Sequence, residues 1–111
     1  MKTDEIFLTH ILTRCQKIIS VTSAMSYDEF LENQDAQDVV IRSFEIIGEA
    51  TTHLSEKCRD EHPDIPWREM KQFRNVLIHQ YFRLDTRQVW SVSRNDIPEI
   101  VVQIQKILAY V

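Results

Sequence analysis

AQDVVIRSFEIIGEATTHLSEKCR, residues 36–59, is the stretch whose reading decides the fold. Val39, Val40, Phe44, Ile47, Ala50, Thr51 and Leu54 form one inner stripe, with Val40, Phe44, Ile47, Thr51 and Leu54 at alternating steps of four and three, the spacing of one helix face. No proline interrupts the run, so it predicts one long amphipathic helix over Ala36–Arg59, with Asp35 as its N-cap. Gly48 lies inside it. A mid-helix glycine costs about 1 kcal/mol relative to alanine, so its presence predicts close approach of a second helix.

Working outward, the same period continues on both sides. Upstream, a first helix is expected over Thr3–Ala24, with Ile6, Phe7, Ile11, Ile18 and Val21 as its apolar face. Ser26-Tyr27-Asp28-Glu29 is a capping-box pattern that opens a short helix carrying Phe30 and Leu31. Glu32 to Asp35 reads as a break. Downstream, His62-Pro63-Asp64-Ile65-Pro66 is a loop, and Pro66 suits the first turn of a helix running to about His79. Trp67, Met70, Phe73 and Leu77 supply its apolar face. Asp85-Thr86-Arg87-Gln88 is a second capping-box pattern. It starts a last helix carrying Val89, Val92, Ile97, Ile100, Val101, Ile104 and Leu108. Pro98 should kink that helix, because its ring meets the carbonyl of Arg94.

One glycine and three prolines in 111 residues leave few of the turns a sheet needs. The expected fold is all-α: a single domain over residues 1–111, an up-and-down bundle of four to five helices. A chain this small leaves apolar surface near the outside, which favours oligomers. The formal net charge of -4 excludes a protein that coats nucleic acid by bulk positive charge. Cys15 and Cys58 have no zinc spacing and read as buried free thiols in a reducing compartment. The N-terminus lacks the apolar core of a signal peptide, and no apolar run is long enough to cross a bilayer, so a cytoplasmic location is expected.

The chemically loaded segment is Arg74-Asn75-Val76-Leu77-Ile78-His79-Gln80-Tyr81. At about 100° per residue, Arg74 and Tyr81 fall on nearly one line, and Asn75 and His79 are i,i+4 neighbours. Arg74 and His79 stand about 140° apart, so one straight helix does not aim both at one point. Local unwinding near His79, or a second copy related by a two-fold axis, would complete the site. Arginine offers a planar donor fork to phosphate oxygens, and histidine can take or give a proton. RNA brings its own nucleophile, the 2′-hydroxyl, so a clamp, a base and an acid suffice without metal or cofactor. Asn75 could orient His79 or reach a phosphate oxygen, and Tyr81 could stack on a base. The same spacing also suits a histidine that merely favours a helix C-terminus beside a solvated Arg/Tyr pair.

The run WREMKQFRNVLIHQY, Trp67 to Tyr81, resembles the R-x4-H-x-Y signature of HEPN-domain toxins of the HepT type. IRSFEIIGEA, Ile41 to Ala50, is similar to the second-helix signature of that family, and Val89-Trp90 with Asp96-Ile97-Pro98 is similar to its last helix. The resemblance implies a HEPN-like bundle that forms a two-fold dimer and cleaves RNA without metal, with tRNA or mRNA as target. It implies that Arg74 and His79 are catalytic, with Asn75 in the supporting position after the arginine. It implies a toxin of a type VII-like toxin–antitoxin pair. The partner would be an MntA-like nucleotidyltransferase antitoxin, able to join a larger hetero-oligomer. The antitoxin would silence the toxin by placing AMP on Tyr81.

Other polar residues carry weaker signals. Arg42 and Glu49 lie seven apart on one helical line. They suit an ion pair, or a role for Glu49 in holding Arg74. Asp38 suits a solvated face or the helix dipole, and otherwise the cleft. His10, His53 and His62 share no ligand spacing and read as surface residues, so no metal site is expected. Trp67 and Trp90 suit core or dimer anchors. The competing function is a non-catalytic subunit that presents substrate or nucleotide to a minimal nucleotidyltransferase, with Arg74, His79 and Tyr81 as its docking site.

Overall fold

A computed structural model of the chain describes residues 2–79 and 85–110. Four rods carry the architecture. They are α1 (Lys2–Ser23), α3 (Gln34–Thr52), α5 (Trp67–His79), and a compound rod of α6 (Thr86–Ser91), a π turn (Val92–Asp96) and α7 (Ile97–Leu108). Short helices α2 (Tyr27–Leu31) and α4 (Glu56–Glu61) turn the corners. The expected all-α bundle is therefore present. α1 packs on α3 and α7, and α3 packs on α5. Between α5 and the compound rod lies an open groove of about 500 Å³, with Phe44 and Ile47 of α3 at its floor.

Burial follows helical spacing, but the inward face of α1 differs from the expected one. Asp4, Leu8, Ile11, Cys15, Ile18 and Thr22 are buried, at alternating steps of four and three. Ile6, expected inside, is exposed. Two polar residues close this stripe, and each has a partner that permits burial. The Thr22 hydroxyl donates to the Ile18 carbonyl at 2.8 Å. The Asp4 carboxylate accepts from the Ser55 amide at 2.8 Å and from the Ser55 hydroxyl at 2.7 Å. Fully buried Ile11, Ile18 and Ile104 each contribute roughly 1.5–3 kcal/mol relative to exposure.

The Asp4–Ser55 contact explains a second difference. The expected single helix over residues 36–59 divides after Thr52. Ser55 starts α4 as its N-cap, its hydroxyl oxygen accepting from the Cys58 amide at 3.0 Å. Asp4 holds that serine from α1, so the chain turns where a buried carboxylate fixes it. At the other end of α3, the cap is Asn33 rather than Asp35: its Oδ1 accepts from the Ala36 amide at 2.9 Å. Ser26 and Glu29 do form the reciprocal capping box of α2.

Pro98 acts upstream of itself. The rod does not break; it widens over Val92–Asp96, and the Ile97 amide donates to the Val92 carbonyl, five residues back. Pro98 then lies in the first turn of α7, where a missing amide proton costs little. Both cysteines are free and buried. Burial pushes the Cys15 thiol up to about 12, and burial followed by the charge of Asp4 also raises that of Cys58, so both are poor nucleophiles.

Candidate active site

The site begins with an absent side chain. α5 crosses α3 at Gly48, and a Cβ at that position would overlap the Cβ of Arg74 and come within 3.0 Å of its Cγ and Cδ. The glycine therefore lets the aliphatic stem of Arg74 lie directly on α3. Beside this crossing, Phe44 and Phe73 meet edge to face at 4.9 Å and fix the two helices.

With its stem seated, the Arg74 guanidinium has two partners. Nη2 lies 2.9 Å from Glu49 Oε2, and Nη1 donates to Asn75 Oδ1 at 3.2 Å. The Arg74 side chain remains 28% exposed, so the fork is oriented and still open to solvent. Glu49 continues the chain of contacts, its Oε1 lying 3.2 Å from His53 Nε2. The His53 ring lies nearly flat on Phe7, with 4.9 Å between centroids and a 16° interplanar angle. His10 meets the same phenyl ring edge-on at 5.8 Å. These residues line a groove of about 430 Å³ between α1, α3 and α5, which Arg42 and Glu45 also border.

Three of the five expected site residues, Glu49, Arg74 and Asn75, therefore come together. Glu49 holds Arg74. Asn75 Oδ1 also steadies Arg74. His79 is the last residue of α5, five positions beyond Arg74. The His79 side chain and Tyr81 lie outside the described residues.

Arg42 borders the groove, while the contacts of Glu49 are to Arg74 and His53. Asp38 is exposed, accepts from Gln34 Nε2 at 2.9 Å and does not line the groove. His62 caps the C-terminus of α4, and its carbonyl accepts from the indole of buried Trp67 at 3.0 Å. His10 and His53 are exposed, as expected of surface residues, and both also line the groove. The sequence did carry a signal for His53, since it stands four residues after Glu49 on one helical face.

Among the described residues, no group of three or more His, Cys, Asp or Glu is placed to hold a metal ion. No described helix is long and apolar enough to cross a membrane.

The family described as Ribonuclease HepT-like matches residues 11–107. This chain belongs to the HepT-like ribonuclease family. Among relatives of this HepT-like chain, the Thermococcus cleftensis protein named Probable ribonuclease HepT is 37% identical over 101 residues, 91% of this chain and 92% of its own. Putative RNase MJ0125 of Methanocaldococcus jannaschii is 40% identical over 102 residues, 92% of this chain and 88% of its own. Putative RNase TTE0752 of Caldanaerobacter subterraneus is 36% identical over 108 residues, 97% and 96% of the two chains. No solved structure gives a significant match.

Proposed function

We propose that this HepT-like chain is the toxin of a type VII-like toxin–antitoxin pair and cleaves RNA, tRNA or mRNA, without a metal. The observation that carries this reading is the Arg74 guanidinium. It is seated over Gly48, steadied by Glu49 and Asn75, and open toward a groove five residues before His79. A permanent planar cation held in that way suits a phosphodiester oxygen. Glu49 must share the fork with the substrate, which keeps Arg74 in place before RNA arrives.

The chemistry balances without further reagents. A base takes the proton of the 2′-hydroxyl, its oxygen bonds to phosphorus, the bond from phosphorus to the 5′-oxygen breaks, and an acid protonates that leaving oxygen. His79 is assigned one of these proton transfers. In a two-fold homodimer, His79 of the second protomer performs the other, which accounts for the roughly 140° between Arg74 and His79 on one helix.

Silencing falls to Tyr81. Its phenolic oxygen attacks the α-phosphate of ATP on an MntA-like nucleotidyltransferase antitoxin, pyrophosphate leaves, and the phenol proton passes to solvent. The tyrosyl AMP adds bulk and negative charge where an anionic RNA backbone must bind. All of this takes place in the cytoplasm.

The test is cleavage of total RNA and tRNA in EDTA by wild type and His79→Ala. Wild type is expected to cut and the variant to lose at least about 100-fold in rate; an inert wild type, or equal cutting by both, refutes the ribonuclease. Incubation with antitoxin and ATP should add one or more AMP masses to wild type and none to Tyr81→Phe. The Glu49 contact also suits a second reading, in which an already neutralised Arg74 is a docking residue of a non-catalytic partner to a minimal nucleotidyltransferase. That reading requires nucleotide contacts in the joint complex and no RNA turnover.

A further inference from the structure

The ribonuclease reading uses one end of the groove, around Arg74, and leaves the other end unexplained. That end is aromatic. Phe7 is half-buried, and the exposed His53 ring lies flat against it, 4.9 Å away at 16°. His10 closes the side, edge-on to Phe7 at 84°. Glu49 links the two ends, bonding Arg74 through one carboxylate oxygen and His53 through the other.

We propose that Phe7, His10 and His53 form a base-stacking subsite that receives the nucleobase next to the phosphate held by Arg74. This rests on the ribonuclease reading. Three observations carry it. The groove, about 430 Å³, falls in the range of small-ligand sites. The flat, solvent-facing imidazole of His53 is fixed in orientation from both sides, by Phe7 beneath it and by Glu49 at Nε2. A pre-oriented ring beside a cation is the arrangement on which single-stranded bases stack. Finally, the charged residues that border the groove balance, Arg42 and Arg74 against Glu45 and Glu49, and Phe7, His10 and His53 give its other end an aromatic lining suited to a base. Capping the C-terminus of α3 accounts for a histidine at position 53. It does not account for the seating of that ring on Phe7 and within reach of the groove that Arg74 shares.

The test uses a fluorescein-labelled, mixed-sequence single-stranded RNA whose cut position is first mapped with wild type. Two further versions carry an abasic residue on one or the other side of that cut. His53→Ala is expected to raise KM about tenfold, with kcat within about twofold, and His53→Phe to restore most of the loss. One abasic substrate should raise KM for wild type by a similar factor and have little further effect on His53→Ala. Anisotropy with the same RNAs reads the same pattern as Kd.

Unchanged KM in His53→Ala, or an abasic effect that persists in full in that variant, overturns the subsite. Loss of a dimer in His53→Ala by light scattering would assign the ring to a subunit contact and likewise overturn it. A wild type that never cuts but binds the unmodified RNA, with Kd raised about tenfold by His53→Ala and largely restored by His53→Phe, supports the subsite and counts against the ribonuclease alone. A wild type that does not bind the RNA removes both.

Discussion

Among the described residues, two carboxylates join helices, and their surroundings differ. Asp4 is buried, 6% exposed, and accepts two hydrogen bonds from Ser55. Glu49 is about half exposed and stands between a guanidinium and an imidazole on the wall of a groove. Burial makes the first contact expensive to break, because donors left without acceptors in the interior carry the full desolvation cost. Exposure makes the second cheap to break for stability, since a solvated ion pair is worth little. Glu49 is thus placed to orient Arg74 rather than to hold the bundle together, whereas Asp4 fixes the corner at which α4 begins.

Substitution at the crossing beneath Arg74 should disturb both roles together. In Gly48→Ala, the new methyl overlaps the Arg74 stem. The overpacking costs about 1–3 kcal/mol, partly offset by the higher helix propensity of alanine. α5 must move away, so cleavage should fall at least about tenfold even well below the melting temperature. Urea denaturation and a rate measured at low temperature check the two parts separately. Wild-type stability and rate in this variant would show that the close approach is not needed.

Asp4→Ala should lower stability by about 1–3 kcal/mol while leaving the rate constant of the folded protein unchanged. The pH dependence follows from the direction of its titration. Burial alone would raise the Asp4 carboxyl, but the hydroxyl and amide of Ser55 outweigh it and hold the group below its ordinary value. A lowered native value gives stability that is present above the unfolded-state value and lost as pH falls through the native one. The gap between wild type and Asp4→Ala should therefore be full at neutral pH and narrow in the acid range. A gap that widens on acidification would mean that Asp4 folds protonated.

Glu49→Gln should change stability least, by no more than about 1 kcal/mol. Its effect belongs in the rate, which should drop as Arg74 loses its fixed orientation, and in a weaker coupling between Arg74 and His53. If Glu49→Gln instead destabilises as much as Asp4→Ala, the contrast between the two carboxylates fails.

The long rods were legible in the sequence because their apolar residues keep helical spacing, and Gly48 announced its close neighbour by being a costly residue in a long helix. The face of α1 was misread because two of its six inward residues, Asp4 and Thr22, are polar. Apolar counting sees only the middle of that stripe and drifts toward Ile6. The division of the second long run at His53–Ser55 was hidden for a related reason. Leu54 and Cys58 continue the apolar pattern, and the turn is imposed by Asp4, some fifty residues earlier. The widened turn at Val92–Asp96 follows from Pro98, whose effect reads as a kink until the neighbouring amide is seen to reach five residues back.

In the site, Arg74, Asn75 and Glu49 were readable from residue chemistry and helical spacing. His53 carried only its i,i+4 spacing from Glu49, and His10 carried no signal, because the meeting of both rings with Phe7 depends on how α1 packs against the end of α3.

In the proposed ribonuclease, Arg74, held over Gly48 by Glu49 and Asn75, is the phosphate-binding arm. Single-turnover cleavage of a fixed RNA in metal-free buffer by wild type, Arg74→Ala and Arg74→Lys tests it most directly, with a melting curve for each. Arg74→Ala should slow cleavage by about 10²–10³-fold with its melting temperature nearly unchanged. Arg74→Lys should recover only a small part, since an ammonium cannot present the same fork. A rate equal to wild type in Arg74→Ala would contradict the assignment outright.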